Sequence, residues 1–341
     1  MSMDPNRPAA REPVLEIENL EVCFASRDGI VRAVDGVSYS LHAGETLGVV
    51  GESGCGKSVT AMSVLRLLPS PPAVVAGGEI RYRGTNLLAV DEQRMRSIRG
   101  NEISMIFQDP MTSLNPVLTI GDQIAEAVLL HQGVGRRAAR RRAIDMLHLV
   151  NIPEPARRAN EYPHQFSGGM RQRAMIALAL ACNPKVLIAD EPTTALDVTI
   201  RAQIIELMQK LKRDLGTAIV MITHDLGVVA EVCERVVVMY AGRKVEEAPV
   251  ERLFESPLHP YTRGLMASMP VLDTAGGAHR SPRHRLAEIP GMVPSLKTRM
   301  RGCSFAPRCA RATPVCREQT PALAHGGDGH SVACWHAGEG S

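Results

Sequence analysis

The chain has 341 residues, of which 45% are hydrophobic and 22% are charged, and its net charge is +3. These values are typical of a globular protein of about two domains, whose core is large enough to need no disulfide support. The near balance of 39 basic and 36 acidic residues, with only 3% aromatic residues, argues against a nucleic-acid-binding surface and a base-stacking platform. We therefore expect no nucleic-acid partner.

The chain shows no sign of a membrane span or a secretion signal. Its longest unbroken apolar run covers residues 174–182, whereas a transmembrane helix needs about 20 apolar residues. Residues 1–13 are polar and proline-rich, without the apolar segment of a signal peptide, so we expect a flexible tail in the cytoplasm. Disulfides are rare in that compartment, so the eight cysteines need another explanation.

The first predicted elements are strands. Residues 14–50 alternate apolar and polar positions, which predicts short antiparallel strands joined by turns at Gly29 and Gly44. The last of these strands, at 46–50, is apolar throughout and therefore buried. Residues 58–68 then show the apolar spacing of a helix, and a group of prolines ends it.

The middle of the chain alternates helices and strands. Residues 119–182 predict helices, including the dense basic run 136–142, which we interpret as a solvated helix face, with a phospholipid or permease contact as the alternative. The continuous apolar runs 185–190 and 218–223 are typical of central parallel strands, and 235–242 predicts a further strand and turn. This alternation predicts an α/β core with a parallel sheet.

Residues 51–58, GESGCGKS, fit the pattern G-x-x-x-x-G-K-[ST] between a predicted strand and a predicted helix, the context that this pattern requires. Its glycines let backbone N–H groups surround a phosphate, and the helix N-terminus adds partial positive charge. We expect Lys57 to bind the β- and γ-phosphates and the Ser58 hydroxyl to bind Mg²⁺, with Cys55 a small filler rather than a nucleophile. The predicted nucleotide-binding residues here are Gly51, Glu52, Ser53, Gly54, Cys55, Gly56, Lys57, Ser58 and Val59.

The second half of the predicted nucleotide site follows the strand at 185–190. Asp190 ends that strand, where a carboxylate can hold Mg²⁺, usually through water. Glu191 comes next and is placed to polarise a water for in-line attack on the γ-phosphate. The pair therefore predicts Mg²⁺-dependent nucleotide hydrolysis; the structural alternative is an acidic pair on the surface at a strand end.

Further motifs resemble those of the ATP-binding subunits of ABC transporters. A phosphate loop fits many NTPases, but FSGGMRQR at 166–173 resembles the ABC signature. Gln108, in IFQDP, resembles the Q-loop of this family, TALD at 194–197 its D-loop, and His224 its switch histidine. Together the motifs cover residues 14–255 in family order. The resemblance implies an ABC ATPase fold: a P-loop NTPase with a parallel core sheet, an antiparallel β-subdomain and a helical subdomain.

The resemblance also implies a role for each motif. In this family the signature serves a nucleotide held by the opposite subunit, so ATP lies between two nucleotide-binding domains and its hydrolysis releases them. Gln108 senses Mg²⁺ and the attacking water, and His224 hydrogen-bonds the γ-phosphate. The catalytic residues are then Lys57, Gln108, Glu191 and His224. Beyond the phosphate loop, the resemblance implies that Phe24 contacts adenine and that Asp197 acts in the D-loop. Ser167, Gly168 and Gly169 would contact the ATP held by the opposite subunit (the trans ATP). Gln108 and Asp190 would bind Mg²⁺ together with Ser58.

The signature departs from the commonest family form, LSGGQ, at its first and last positions. Met170 stands where glutamine is usual, and a thioether cannot donate a hydrogen bond. This puts the usual contact to the ribose of the trans nucleotide in doubt. Ser167 and Gly169, which face the phosphates in the family, are unchanged, so we expect an active site.

Nearly the whole chain resembles the dipeptide and oligopeptide importer branch of the family, through GESGCGKSV, EYPHQFSGGMRQR, HPYTRGLMASMP, IPGMVPSL and GCSFAPRC. The resemblance to its D-type subunit implies a second, F-type ATPase, two transmembrane permease subunits and an extracytoplasmic solute-binding protein. It places the chain on the cytoplasmic face of the membrane. Importers of nickel, glutathione and other small solutes share these motifs. A soluble ABC ATPase acting on DNA or ribosomes is a weaker alternative, because the chain lacks a second nucleotide domain.

The C-terminal region carries four clustered cysteines. Its composition changes near residue 271, which predicts a nucleotide-binding domain over 14–270 and a small, irregular, Cys-rich domain over 271–341. Four thiolates in a short Pro/Gly-rich segment can close a zinc or an iron–sulfur site, and the spacing does not choose between them. The importer family carries a [4Fe–4S] cluster here, so the resemblance implies iron, with zinc or free thiols as alternatives. The ligands would be Cys303, Cys309, Cys316 and Cys334.

Overall fold

A computed structural model of the chain describes residues 12–27, 29–109, 113–193, 198–269, 288–298, 300–327 and 329–338. The strands in this part are β1 (Pro13–Ser26), β2 (Gly29–His42), β3 (Thr46–Val50), β4 (Ala73–Tyr82), β5 (Thr85–Asn86), β6 (Ile103–Ile106), β7 (Val186–Asp190), β8 (Ala218–Ile222), β9 (Arg235–Tyr240), β10 (Arg243–Pro249), β11 (Ala324–His325) and β12 (Ser331–Val332).

The α-helices in the same part of the chain follow the strands in alternation. They are α1 (Lys57–Val64), α2 (Glu92–Ile98), α3 (Ile120–Gln132), α4 (Arg136–Leu149), α5 (Pro155–Arg158), α6 (Gly168–Leu180), α7 (Val198–Leu215), α8 (Leu226–Val232), α9 (Val250–Glu255), α10 (Pro260–Ala267) and α11 (Pro314–Glu318). Two short 3₁₀ helices cover Pro163–Gln165 and Ala306–Arg308.

The chain divides into two compact units. The first comprises the described residues up to Ile17, with Tyr39–Thr46 and Glu79–Val220, and the second comprises Glu18–Ser38, Leu47–Gly78 and the described residues from Met221 onward. Strands β1, β2, β4 and β5 form a four-stranded sheet in the order β2-β1-β4-β5.

The parallel core that the sequence predicts is present in each unit. In the first, β6 and β7 pair in parallel, and every residue of both strands is buried. In the second, β3 and β9 pair in parallel, and the strand order continues outward as β9-β10-β12-β11. Strands buried on both faces read as continuous apolar runs, which is why their sequences lack alternation.

The helical part of the first unit packs α3, α4 and α6 against one another. Two of these helices begin at side-chain caps, Thr119 for α3 and Ser167 for α6. The basic run 136–142 lies on α4, where Arg136, Arg137 and Arg141 are exposed, in agreement with the interpretation as a solvated face. Among the described residues, no helix combines the length and apolar character needed to cross a bilayer.

The structure differs from the sequence-based expectation at several boundaries. β1 and β2 are 14 residues each rather than short. The helix predicted over 58–68 ends at Val64, because Arg66 adopts the left-handed φ of 52° that ends a helix. The Cys-rich region is not confirmed as a domain of its own. Its β12 pairs antiparallel with β10, and its described residues lie in the second unit.

Candidate functional site

The phosphate loop lies in the second unit, between the buried strand β3 and helix α1. Gly51 and Gly56 have φ values of 152° and 98°, a backbone conformation that side chains disfavour. A Cβ added at Gly51 would lie 2.2 Å from the Met239 carbonyl oxygen, and one added at Gly56 would lie 2.3 Å from the Ala33 carbonyl oxygen. The glycines are therefore required by close backbone contacts as well as by φ.

This close approach predicts the effect of Gly56→Ala. The added methyl group forces the loop away from Ala33, at a cost of about 2–4 kcal/mol from overpacking and backbone strain. We expect a lower thermal midpoint and weaker ATP binding, measured by calorimetry. Gly135→Ala is the matched control, because its φ is −77° and nothing lies within 4 Å of its added Cβ. Equal stability of the two variants would contradict the described packing.

Lys57 is buried within its own loop. Its Nζ donates to the carbonyl oxygens of Gly51 at 2.7 Å and Glu52 at 3.0 Å. The ammonium group is thus held inside the curve of the loop, with its charge placed where an anionic ligand of the loop would lie. Of the other loop residues, Cys55 is buried, Ser53 and Gly54 are exposed, and Ser58 and Val59 are half-buried.

Cys55 is a packing residue of the loop. Its side chain is 1% exposed, and burial raises the pKa of its thiol, a shift that the neighbouring Lys57 charge only partly offsets. A thiol with a raised pKa is a weak nucleophile at neutral pH. This agrees with its expected role as a filler.

The second half of the predicted site lies in the first unit, at the carboxyl ends of β6 and β7. Gln108 follows β6, and its Nε2 donates to Oε2 of Glu191 at 3.0 Å. Asp190 is the buried last residue of β7. The parallel pairing of the two strands therefore brings together three of the predicted residues, Gln108, Asp190 and Glu191.

Glu191 has an unusual backbone for a non-glycine residue. Its φ is 48°, in the left-handed region that costs such a residue about 1–3 kcal/mol. The surrounding structure sustains this strain at the carboxyl end of a central strand. Strain of this kind clusters at functional sites, and here it lies at the residue that the sequence predicts to be the general base.

The signature residues form the start of helix α6. Ser167 is its N-cap, and its Oγ accepts a hydrogen bond from the Met170 N–H at 3.4 Å. Gly168 has open space around its Cβ position, whereas a Cβ on Gly169 would lie 2.7 Å from Cδ1 of Ile200. This helix start presents backbone N–H groups and a hydroxyl, which suit a phosphate.

The remaining predicted nucleotide contacts are placed individually. His224 is exposed just after β8, and the Thr223 N–H before it donates to the Val49 carbonyl oxygen at the end of β3. Phe24 is half-buried on β1. Asp197 and the rest of the predicted D-loop, 194–197, lie outside the described residues.

The four C-terminal cysteines border one small cavity together with His259, Phe305 and His336. All four are free thiols, and burial raises the pKa of Cys303 and Cys334. Within the described ranges, no three His, Cys, Asp or Glu side chains are arranged to hold a metal ion. The structure therefore does not support the expected metal site, although all four cysteines line the same cavity.

Sequence reasoning missed two residues that touch the phosphate loop. Arg308, from the Cys-rich region, donates to the Glu52 carboxylate at 2.9 Å, and the Glu52 N–H donates to the Tyr261 hydroxyl at 2.8 Å. The sequence carries no pattern that would reveal them, since they are separated from Glu52 by 256 and 209 positions. Each belongs to the second unit.

Comparisons with known proteins agree with these motifs. Residues 34–194 match the family model described as ABC transporter, and residues 245–316 match the model described as oligopeptide/dipeptide transporter, C-terminal region. The chain is 56% identical to a probable peptide ABC transporter ATP-binding protein of Sinorhizobium fredii, over 99% of both chains. It is 51% identical to the dipeptide transport ATP-binding protein DppD of Bacillus subtilis, over 95% of both chains.

A similar fold is found among solved structures. The ATP-binding cassette MJ0796, solved as a dimer in a post-hydrolysis state with ADP and Pi, superposes with a TM-score of 0.63 at 29% identity. The match covers 69% of this chain and 98% of that one. The P-loop NTPase fold of the ABC type, with its mixed sheets and helices, is thereby established for this chain.

Proposed function

Because this chain belongs to the family of ATP-binding subunits of peptide ABC transporters, we propose that it binds ATP in the loop at 51–58 and hydrolyses it with Glu191 to power peptide import. The ABC ATPase domain of this family couples ATP hydrolysis to transport. The proposal is carried by the Gln108–Glu191 hydrogen bond of 3.0 Å, which orients a carboxylate at the end of a central strand, where a general base is needed.

Each residue has a separate task in this proposal. The loop N–H groups and Lys57 bind the phosphates. The Glu191 carboxylate accepts a proton from the attacking water, and His224 donates to the γ-phosphate. Ser58, Gln108 and Asp190 are the residues that would hold Mg²⁺, which supplies charge neutralisation when bound.

We propose that catalysis requires two nucleotide-binding domains. Ser167, Gly168 and Gly169 would bind the γ-phosphate of an ATP held by a partner, and Asp197 and Phe24 complete the set of proposed contacts. The open surroundings of Gly168 and the N-capped helix start support this role, as does the dimeric state of the similar cassette MJ0796. The proposed partners are a second, F-type ATPase, two permease subunits and an extracytoplasmic solute-binding protein, at the cytoplasmic face of the membrane.

Uptake measurements test the substrate class. In cells that lack the gene for this chain, we expect loss of uptake of a labelled dipeptide and its recovery with the intact gene, because import needs the energy of ATP hydrolysis. The control is a gene that encodes the Glu191→Gln variant. This variant should still assemble with its partners but should not restore uptake, because it hydrolyses ATP too slowly. If cells without the gene keep dipeptide uptake but lose uptake of nickel or glutathione, the imported solute is nickel or glutathione rather than a peptide.

We also propose a [4Fe–4S] cluster bound by Cys303, Cys309, Cys316 and Cys334, with a structural role. The support is the donor set itself: four free cysteines border one cavity, and four thiolates are the ligands that such a cluster takes. Protein purified anaerobically should contain iron and absorb visible light, and Cys316→Ser should lose both. Iron-free protein with one zinc would refute this choice.

A further inference from the structure

The Cys-rich region contacts the phosphate loop at Glu52. Nη1 of Arg308 lies 3.1 Å from Oε1 and 2.9 Å from Oε2 of Glu52. From α10, the Tyr261 hydroxyl accepts the Glu52 N–H at 2.8 Å. The side chain and the backbone of Glu52 are therefore held by two residues that lie 256 and 209 positions later in the chain.

Arg308 is itself rigidly held. Its Nε donates to the Pro290 carbonyl oxygen at 2.9 Å and its Nη2 to the Ile289 carbonyl oxygen at 3.1 Å. The side chain is 5% exposed, and its guanidinium lies 5.8 Å from the ring centre of Tyr240. A planar guanidinium fixed along one edge by two carbonyls presents its remaining N–H groups in one direction, and here that direction is Glu52.

Aromatic side chains of the core surround the Arg308 guanidinium. Tyr240, Tyr261 and Phe305 pack with ring centres 4.6–5.5 Å apart, and all three are buried. The Arg308 side chain is 5% exposed and that of Glu52 is 26% exposed, so the guanidinium is the buried partner and the carboxylate lies at the edge of the cluster. Loss of Glu52 would leave the Arg308 charge beside these aromatic rings without its carboxylate.

The same loop residue also faces Lys57. The Glu52 carbonyl oxygen accepts from Lys57 Nζ at 3.0 Å, so Glu52 is held at its N–H, its carbonyl and its carboxylate. A shift of Glu52 would move both the Lys57 ammonium and the adjacent N–H groups of the loop. Displacements of about 1 Å in groups that position a ligand are enough to weaken its binding.

We propose that Arg308 and Tyr261 are positioning residues for the phosphate loop, which makes the Cys-rich region an integral part of the ATP site. The proposal rests on the proposed role of the loop at 51–58 in binding ATP. If the Arg308 segment favours ATP binding, ATP binding must favour the ordered Arg308 segment by the same free energy. Bound ATP should therefore stabilise the segment around Arg308.

Two conservative substitutions test the proposal in the full chain. Arg308→Lys keeps the positive charge but loses the planar guanidinium with its several N–H donors. Tyr261→Phe removes only the hydroxyl that accepts the Glu52 N–H. We expect each to raise the KM for ATP about tenfold, the effect of losing one hydrogen bond to a charged or loop group, with kcat within about twofold of the wild type. The matched controls are Arg317→Lys, exposed in the same region, and Tyr39→Phe, buried on β2, and neither should change KM.

A double variant separates direct coupling from general damage. Glu52→Gln should raise KM as Arg308→Lys does, and the two together should be no worse than either alone, because they break the same contact. A variant that is merely unstable would lose kcat through a smaller active fraction, without the rise in KM. Unchanged KM in the single variants, or fully additive effects in the double variant, would overturn the proposal.

Hydrogen exchange supplies a second measurement. Adding MgATP to the wild type should slow amide exchange at residues 305–309, and Lys57→Ala should abolish this protection. Full ATP affinity in Lys57→Ala would remove the proposed role of the loop and this inference with it. A different result would overturn this inference alone. In that case Lys57→Ala binds ATP weakly, but Arg308→Lys and Tyr261→Phe keep a normal KM for ATP and MgATP does not slow exchange at residues 305–309 of the wild type.

Discussion

Replacing Glu191 by glutamine should reduce ATP turnover by a factor of about 10²–10⁴, the usual contribution of a positioned general base. The amide has nearly the same shape as the carboxylate, but it cannot accept a proton from the attacking water. Gln108 can still hydrogen-bond to the side-chain oxygen, so the strained backbone and the site geometry should persist. We therefore expect ATP binding within about twofold of the wild type, since the loop at 51–58 is untouched. Steady-state turnover and equilibrium binding measure the two quantities.

The matched control for this prediction is Glu206→Gln, an exposed glutamate on α7. It removes the same charge from the same unit without touching the predicted site, and its turnover should be normal. Wild-type turnover by Glu191→Gln would show that another group serves as the base. Loss of ATP binding in that variant would show that Glu191 contributes to nucleotide affinity instead.

Replacing Lys57 by alanine should weaken MgATP binding about 100-fold. The ammonium is held inside the loop by the carbonyls of Gly51 and Glu52, and on binding it would make charge-assisted hydrogen bonds to phosphate, worth about 1.5–3 kcal/mol each. Since each 1.4 kcal/mol is a factor of ten in affinity, one or two such bonds account for the loss. Isothermal titration with MgATP measures it.

The control for Lys57→Ala is Lys185→Ala, which removes an exposed lysine just before β7. Its affinity for MgATP should be unchanged. If both variants bind MgATP as tightly as the wild type does, the loop at 51–58 is not the phosphate-binding site. If both lose affinity equally, the effect of Lys57 is one of overall charge rather than of position.

The local parts of the site were predictable from the sequence because they depend on short-range geometry. The phosphate loop lies between β3 and α1 as predicted, since its glycines and its flanking apolar strand are adjacent in the chain. Gln108 and Glu191 were each identified by a motif, and the parallel pairing of β6 with β7 explains why they meet. A buried parallel strand is recognisable as a continuous apolar run, and its carboxyl end is a common place for functional residues.

The link between the Cys-rich region and the loop was not predictable. Arg308 lies between two cysteines in a proline-rich segment, where an arginine resembles any solvated cation. Its role depends on contacts with Glu52 and Tyr240, which are distant in the chain. The separate C-terminal domain was expected from composition alone, and composition does not report that β12 pairs with β10 or that Phe305 packs on Tyr240.

In the proposed arrangement, ATP is held between the loop at 51–58 of one subunit and the helix start at Ser167 of another. The most direct measurement is the ATP turnover per chain as a function of protein concentration, for the wild type and for Ser167→Arg, with the exposed Ser256→Arg as control. We predict that turnover per chain rises with concentration as two copies of this chain pair in place of the F-type partner, and that only Ser167→Arg abolishes it. A rate per chain that is independent of concentration and unaffected by Ser167→Arg would contradict the account.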